Sequence, residues 1–385
     1  MAIEGKIEVR WVASVHDAPL HDWQACFPPP IEGWWWYAAL EKSGLESQFQ
    51  FLYGLVESEG KLLAIAPAFV MDVPIDLVAP PLVAKALRAA GAVIKRLRYQ
   101  RTFFIGSACS DEGTVGLCPG VQLSDVAEAI QAAAVQRAAE AGASIVVWKD
   151  FQPACGKTLE SLGLFRVVSY PGTSVELPPG GFDAYLKSLR ADRRHDLKRH
   201  LKRGEKAGPL VESIIQRPDA ATRDEILSLY MQTYEKGKTK FEKLTPAFFE
   251  RIAEADVTHF LLLRHPDSGK LAAYLLCFNL GRRVLNKYIG MDYTLGHEWC
   301  LFFRLWKMAV HWGSTLGAAE MQVSQSGYRP KLGLGCKLEL LNSYCRHRNP
   351  ILNRVFAKIG GKTTLGDLDE DLALHFKAHP ELEKS

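Results

Sequence analysis

The sequence predicts an α/β fold with mixed (α+β) sheets, arranged as two tandem domains. Three observations predict it. The chain has 385 residues, more than one hydrophobic core usually serves and enough for two domains of about 170–200 residues each. One order of elements is read twice along it: strand, helices, β-hairpin, strand, helix, then two further strands. Between the copies lies a strongly basic helical stretch, entered through a Pro/Gly cluster at Pro178–Gly181.

In the first copy, residues 5–14 alternate as a strand does. Pro28, Pro29 and Pro30 mark a loop, and GWWWYAALEKSG reads as a short helix ended by Gly44. Two apolar runs, FLYGLV and KLLAIAPAFVMD, flank Glu57-Ser58-Glu59-Gly60 and predict a hairpin. A strand follows in RTFFIGSAC, then a loop from Gly113 to Gly120. Ser124 is the expected cap of a helix that stops at Gly142. IVVWKDF is a buried strand, and FRVVSYPGTSVEL adds more strand.

The second copy opens with a strand over Leu210–Gln216 and a helix over DEILSLYMQTYEKG. Thr245 and Pro246 open another helix, the threonine as cap and the proline at the first helical position. HFLLLRHPDSGKLAAYLLCFNL is a hairpin turning at Pro266–Gly269. VLNKYIGMDY is a strand, Trp299–Leu316 a long helix, AEMQVSQS the next strand and GCKLELLNSYCR the last. The expected division is residues 1–178 for the first domain and 179–360 for the second, opened by a basic helix over 183–207, with a tail over 361–385.

Composition narrows the class. Charged residues make up 23% and hydrophobic residues 48%, as in ordinary globular proteins. The net charge of +4 does not by itself imply a nucleic acid, and nothing points to DNA. The eight cysteines include no C-x-x-C pair, so a zinc ribbon or thioredoxin-like site is not expected. Reduced thiols are. The N-terminus has no apolar core of a secretory signal. The apolar stretch Trp299–Trp312 is broken by Arg304, Lys307 and His311, so no membrane span is predicted. Together these predict a cytoplasmic protein.

Four stretches carry a family resemblance: WYAALEKSG at Trp36–Gly44, the basic YLKSLRADRRHDLKRHLKRGEKAG, NKYIGMDY at Asn286–Tyr293, and GYRPKLGLGCKLELLNSYCRHRNP at Gly327–Pro350. Together they resemble the FemAB-like branch of the GNAT superfamily, and within it the BioF2-like acetyltransferase group. The resemblance covers most of residues 180–350 and, more loosely, the first 180. It implies two tandem GNAT-like domains packed around a cleft. It also implies transfer of an acyl group to an amine by direct attack, with acyl-CoA as co-substrate and no tightly bound cofactor. A small-molecule or peptide amine is the implied acceptor.

By that resemblance Lys331 stands near the reacting carbonyl, where a fixed ammonium stabilises developing negative charge. Pro330 stands before it, where Fem enzymes tend to have an aromatic residue. Tyr328, beyond the strand AEMQVSQS, is the expected proton donor to the leaving group. Asp292 ends the strand NKYIGMDY, where strand ends face a ligand crevice, and is the expected amine-facing carboxylate. Glu298 reads as ordinary acid at a helix start.

The donor site is expected to involve Lys287, Gly296, Arg193 and Lys198. The acetyl-CoA signature [QR]-x-x-G-x-[AG] is absent: the loop reads TLGHEW with a lone Gly296. A second glycine-rich loop, DEGTVGLCPG, is opened by acids. From Lys187 to Lys206 nine Lys/Arg face three acids, a local charge of +6. This is either a solvated helix face or an attraction for phosphates of CoA, tRNA or lipid. His195, His200 and Arg346-His347-Arg348 lack companions at metal spacing, so no metal is expected. In Trp34-Trp35-Trp36 not every ring faces the core; one or more either packs or lines a cleft. There is no G-x-S-x-G elbow. Two alternatives stay open: a Fem-type transferase using charged tRNA, and a non-catalytic module binding a phosphorylated ligand.

Overall fold

The computed structural model describes residues 5–74, 99–237 and 240–379; the last six residues of the expected tail lie outside these. The strands are β1 (Ile7–Val12), β2 (Gln50–Ser58), β3 (Lys61–Pro74), β4 (Tyr99–Ile105), β5 (Gly116–Leu117), β6 (Ile145–Phe151), β7 (Phe165–Val168), β8 (Gly172–Glu176), β9 (Val211–Ile215), β10 (Thr258–Arg264), β11 (Leu271–Leu280), β12 (Arg283–Met291), β13 (Glu320–Val323), β14 (Lys337–Glu339) and β15 (Asn342–His347). The helices are α1 (Leu20–Cys26), α2 (Trp34–Glu41), α3 (Leu123–Glu140), α4 (Gly156–Ser161), α5 (Gly181–Ser188), α6 (Ala191–Ala207), α7 (Ala220–Lys236), α8 (Pro246–Ile252), α9 (Leu301–Thr315), α10 (Tyr328–Gly333), α11 (Pro350–Gly360), α12 (Leu365–Leu368) and α13 (Glu370–Ala378).

Local signals account for many of the element ends. The β2–β3 hairpin turns on Glu59 and Gly60, both at positive φ (52° and 77°), as a two-residue turn matching the strand twist requires. Thr245 accepts from the Phe248 amide at 3.1 Å to cap α8, and Asp219 accepts from the Thr222 amide at 2.8 Å to cap α7. Helix α3 starts earlier than Ser124. Asp125 reaches back to the Gln122 amide at 2.8 Å, which moves the cap to Gln122.

The basic stretch is two helices rather than one. Leu189 and Arg190 are extended between them. The break lets each piece meet α9 on its own terms. Tyr185 of α5 accepts from the Trp306 indole at 2.9 Å, and Gly204 of α6 approaches Arg304 so closely that a Cβ would meet it at 3.2 Å. Arg304, 9% exposed, donates to the carbonyls of Gly204 and Gly208 at the end of α6.

Two mixed sheets result. One has the order β1-β2-β3-β4-β6-β15-β7, with β5 beside β3; the other is β14-β8-β13-β12-β11-β10-β9. In each, an antiparallel meander ends in one parallel pair, β4–β6 or β12–β13, joined through α3 or α9. The closing strands are exchanged. Strand β8, from the first half, pairs between β13 and β14. Strand β15, from the second half, pairs between β6 and β7. GCKLELLNSYCR is thus two strands in different sheets, as is FRVVSYPGTSVEL. Both exchanged strands lie across the expected boundary near 178 from the sheet they complete. Pairing joins any two edges of matching pattern, and sequence distance does not limit it.

Strand β11 is apolar from Leu271 to Phe278 because both its faces are covered. Tyr274, Leu276 and Phe278 share a core cluster with Leu229 of α7, while Leu275 and Cys277 share another with Leu305 and Trp306 of α9. The first of these clusters also contains Trp36, Phe69 and Phe104. One apolar core therefore spans both halves. Among the described residues, no helix is long and apolar enough to cross a membrane.

Candidate active site

The parallel strands β12 and β13 pair only from Arg283–Asn286 against Glu320–Val323. Beyond this they part. On β12 the cause is a bulge. Leu276 of β11 faces Tyr288 and its neighbour Cys277 faces Asn286, so Lys287 is the extra residue. On β13 the chain turns away through Ser326 and Gly327, both at positive φ. The notch holds a cavity of about 40 Å³. Asn286, Tyr288 and Ile289 line one side, Val323 and Ser324 the other, and Trp306 of α9 helps to close it. Lys287 and Lys331 line it too.

Lys331 sits on α10 and is 5% exposed. Its Nζ donates to the Ser324 carbonyl where β13 ends. Burial lowers its pKa to about 8, only partly opposed by Cys336 and Asp111. The group therefore changes charge just above neutral pH.

Lys287 is in a different electrostatic setting. Its Nζ lies 3.4 Å from an Asp111 oxygen and 4.0 Å from Glu32, and 5.4 Å above the Trp36 ring. Burial works against its charge, but Asp111, Glu32 and Glu242 outweigh it and raise the pKa. Among the described residues neither Lys287 Nζ nor Asp111 Oδ2 has a hydrogen-bond partner, so the pair is held by charge. Around them, Tyr288 donates to Glu242 at 3.0 Å and Ser110 to Glu32 at 3.4 Å. Lys149 is paired with Asp150 and donates to the Ser110 carbonyl at 3.3 Å. Asp150 holds a positive φ of 59°.

Four carboxylates, Glu32, Asp111, Asp150 and Glu242, thus gather around the Lys149 and Lys287 ammonium groups, with Arg283 acting on Glu32 and Lys331 on Asp111. Burial raises the pKa of both Glu32 and Glu242, with Lys287 opposing. Buried carboxyls whose desolvation is not fully offset are relieved by taking up protons. The cluster draws on both halves of the chain, Glu32, Asp111, Lys149 and Asp150 from the first and Glu242 and Lys287 from the second. It shares Lys287 with the notch.

A family model termed FemAB-like, described as peptidoglycan biosynthesis/recognition, matches residues 115–313, just over half of the chain. The chain belongs to the FemAB-like family. No curated protein matches it. Among solved structures, FemX aligns with a TM-score of 0.56 at 12% identity, covering 90% of this chain and 100% of that one. The L-PGS structure from Bacillus licheniformis aligns at 0.52 and 11%, covering 85% and 96%. A tandem GNAT protein from the clavulanic acid biosynthesis pathway aligns at 0.51 and 12%, covering 90% and 99%. At such identities the likeness is one of fold, and the fold is the tandem GNAT fold.

In this FemAB-like chain the expected site residues separate into groups. Lys331 and Lys287 come together in the notch. Asp292 does not line it. Its Oδ1 accepts from the Thr294 amide and hydroxyl at 2.9 and 2.6 Å, with Lys270 at 3.4 Å. Burial is outweighed by these bonds, and its pKa is lowered. Its contacts are those of a turn brace.

Tyr328 is fully buried against Leu365, Leu372 and Phe376, and donates to the Pro171 carbonyl at 2.9 Å. Burial raises its pKa. Its proton is thus committed to backbone, away from the notch. Arg193 on α6 lies near enough to Cys336 to favour the thiolate, against the burial that lifts this thiol to about 12; Lys198 is exposed on the same helix. At Gly296, a Cβ would collide with the Glu298 carboxylate, which folds over the loop before α9.

Sequence reading missed Glu32, Asp111, Lys149, Asp150 and Glu242. Two signals were present. Asp111 and Glu112 open the loop DEGTVGLCPG, and Lys149-Asp150 stand at the end of a buried strand. Two glycines of that loop serve packing: a Cβ on Gly116 would strike the Phe27 ring, and one on Gly113 the Lys149 carbonyl. Among the described residues no group of three or more His, Cys, Asp or Glu is placed to hold a metal ion.

Proposed function

We propose that this FemAB-like protein transfers an acyl group to an amine, with the donor in the β12–β13 notch and the acceptor in the acidic cleft. The observation that carries this reading is the shared residue Lys287, which lines the notch while its ammonium sits among the cleft carboxylates. Beyond Asn286 the edge of β12 facing β13 has no strand partner, so an extended thioester arm has backbone groups to pair with, as an added strand does.

In this reading the acceptor enters as an ammonium and gives a proton to Glu242 or Glu32, whose raised pKa suits a general base. The free amine attacks the carbonyl carbon, a C–N bond forms, and the Lys331 ammonium stabilises the oxyanion. The bond to the leaving group then breaks; Lys331, with a pKa of about 8, gives that group its proton and takes one back from the nitrogen of the new amide. The family's description favours a peptide or precursor amine of peptidoglycan as acceptor.

Acyl-CoA is the donor we place first. A charged tRNA is the second reading, favoured by the absent acetyl-CoA signature around Gly296 and by the basic stretch over 183–207. Calorimetric titration with acetyl-CoA, longer acyl-CoAs and aminoacyl-tRNA separates them. Saturable CoA binding weakened in Lys331→Ala supports the first. Salt-sensitive binding of tRNA alone supports the second. Binding of neither, or binding without turnover on any amine, overturns the transferase reading.

A further inference from the structure

Helix α11 lies on the first sheet beside β7 and β15. Its inner side is tight: a Cβ on Gly360 would come within 2.7 Å of Val167, and Phe356 packs edge-on against His347 at 5.5 Å. Its outer side is apolar where solvent should favour polar residues. Ile351 is 69% exposed, Val355 46% and Leu352 41%. Ile351, Val355 and Lys358 follow at helical spacing and form one stripe. Around them Arg346, Arg348, Arg354, Lys358 and Lys362 are all exposed. From Arg346 to Thr364 there is no acidic residue.

We propose that α11 is an interfacial helix that docks the protein on an anionic lipid surface. Aliphatic side chains on a short helix, bordered by basic residues, match the acyl–headgroup boundary. The aliphatic residues enter it while arginine and lysine extend to the lipid phosphates. A second copy of this chain is disfavoured, because two such faces would bring cation against cation. A nucleic acid is disfavoured too: three exposed aliphatic residues add nothing to phosphate contacts, and α11 offers no exposed aromatic ring for stacking a base.

The test is co-sedimentation with phosphatidylcholine vesicles, with and without phosphatidylglycerol. Binding is expected only with phosphatidylglycerol, and is expected to weaken as salt approaches about 1 M, where the Debye length is about 3 Å. Ile351→Glu/Val355→Glu and Arg354→Glu/Lys358→Glu should each weaken it by about tenfold or more. Thermal unfolding should stay unchanged, since these side chains are exposed. Ile351→Leu/Val355→Ile should retain binding. No sedimentation with anionic vesicles, equal sedimentation with both compositions, or unchanged binding in both glutamate variants would overturn the proposal.

Discussion

Lys287 and Lys331 line one cavity, and their pKa values move in opposite directions. Both are buried. Lys287 has three carboxylates to oppose desolvation, so its charge is held. Lys331 donates to a carbonyl and has only Cys336 and Asp111 to oppose desolvation, so desolvation prevails and its pKa falls to about 8. One fold therefore places a permanent cation beside a titrating one, an arrangement suited to proton transfer near neutral pH.

Lys331→Ala should fold and lose transfer activity. Loss of one positioned charge of this kind costs about 3–4 kcal/mol, a fall of about 10²–10³ in turnover. Steady-state kinetics read this as lower kcat rather than higher KM. A variant with unchanged turnover would remove Lys331 from the chemistry.

The pH profile of kcat/KM should be bell-shaped. Its upper limb should fall near pH 8 as Lys331 loses its charge, and its lower limb should lie above the ordinary carboxylate range, because Glu32 and Glu242 are raised. Lys331→Ala should abolish the upper limb in whatever activity remains.

Lys287→Met should destabilise the protein. Removing the cation leaves Asp111, Glu32 and Glu242 facing one another in the cleft, and breaking a buried pair costs about 3–5 kcal/mol. Carboxyls with raised folded pKa values add stability below their unfolded pKa and lose it as pH rises through the folded one. The defect should thus be largest at pH 7–8 and shrink towards pH 5. Urea unfolding at both pH values measures it, and a deficit independent of pH would assign the loss to packing.

Tyr328→Phe should retain transfer activity within a few-fold. It removes one buried hydrogen bond to Pro171 and should cost about 1 kcal/mol of stability. A large fall in kcat with a change in the pH profile would return Tyr328 to the chemistry.

The sequence alone determined most of the elements and their repeated order. Turn residues such as Glu59-Gly60, the Thr245 cap and the unbroken apolar run of β11 are local signals, because backbone geometry and burial act over a few residues. It also marked Lys331, by family resemblance, and Lys287 as an expected donor contact. Only the tertiary structure decided which strands close which sheet, since β8 and β15 cross to the other half and pairing carries no trace of chain order. The same holds for the acidic cleft. Glu32, Asp111 and Glu242 lie far apart in sequence, and each alone reads as an ordinary loop acid. Charge interactions depend on distance in space, and folding brings these three around the Lys287 ammonium.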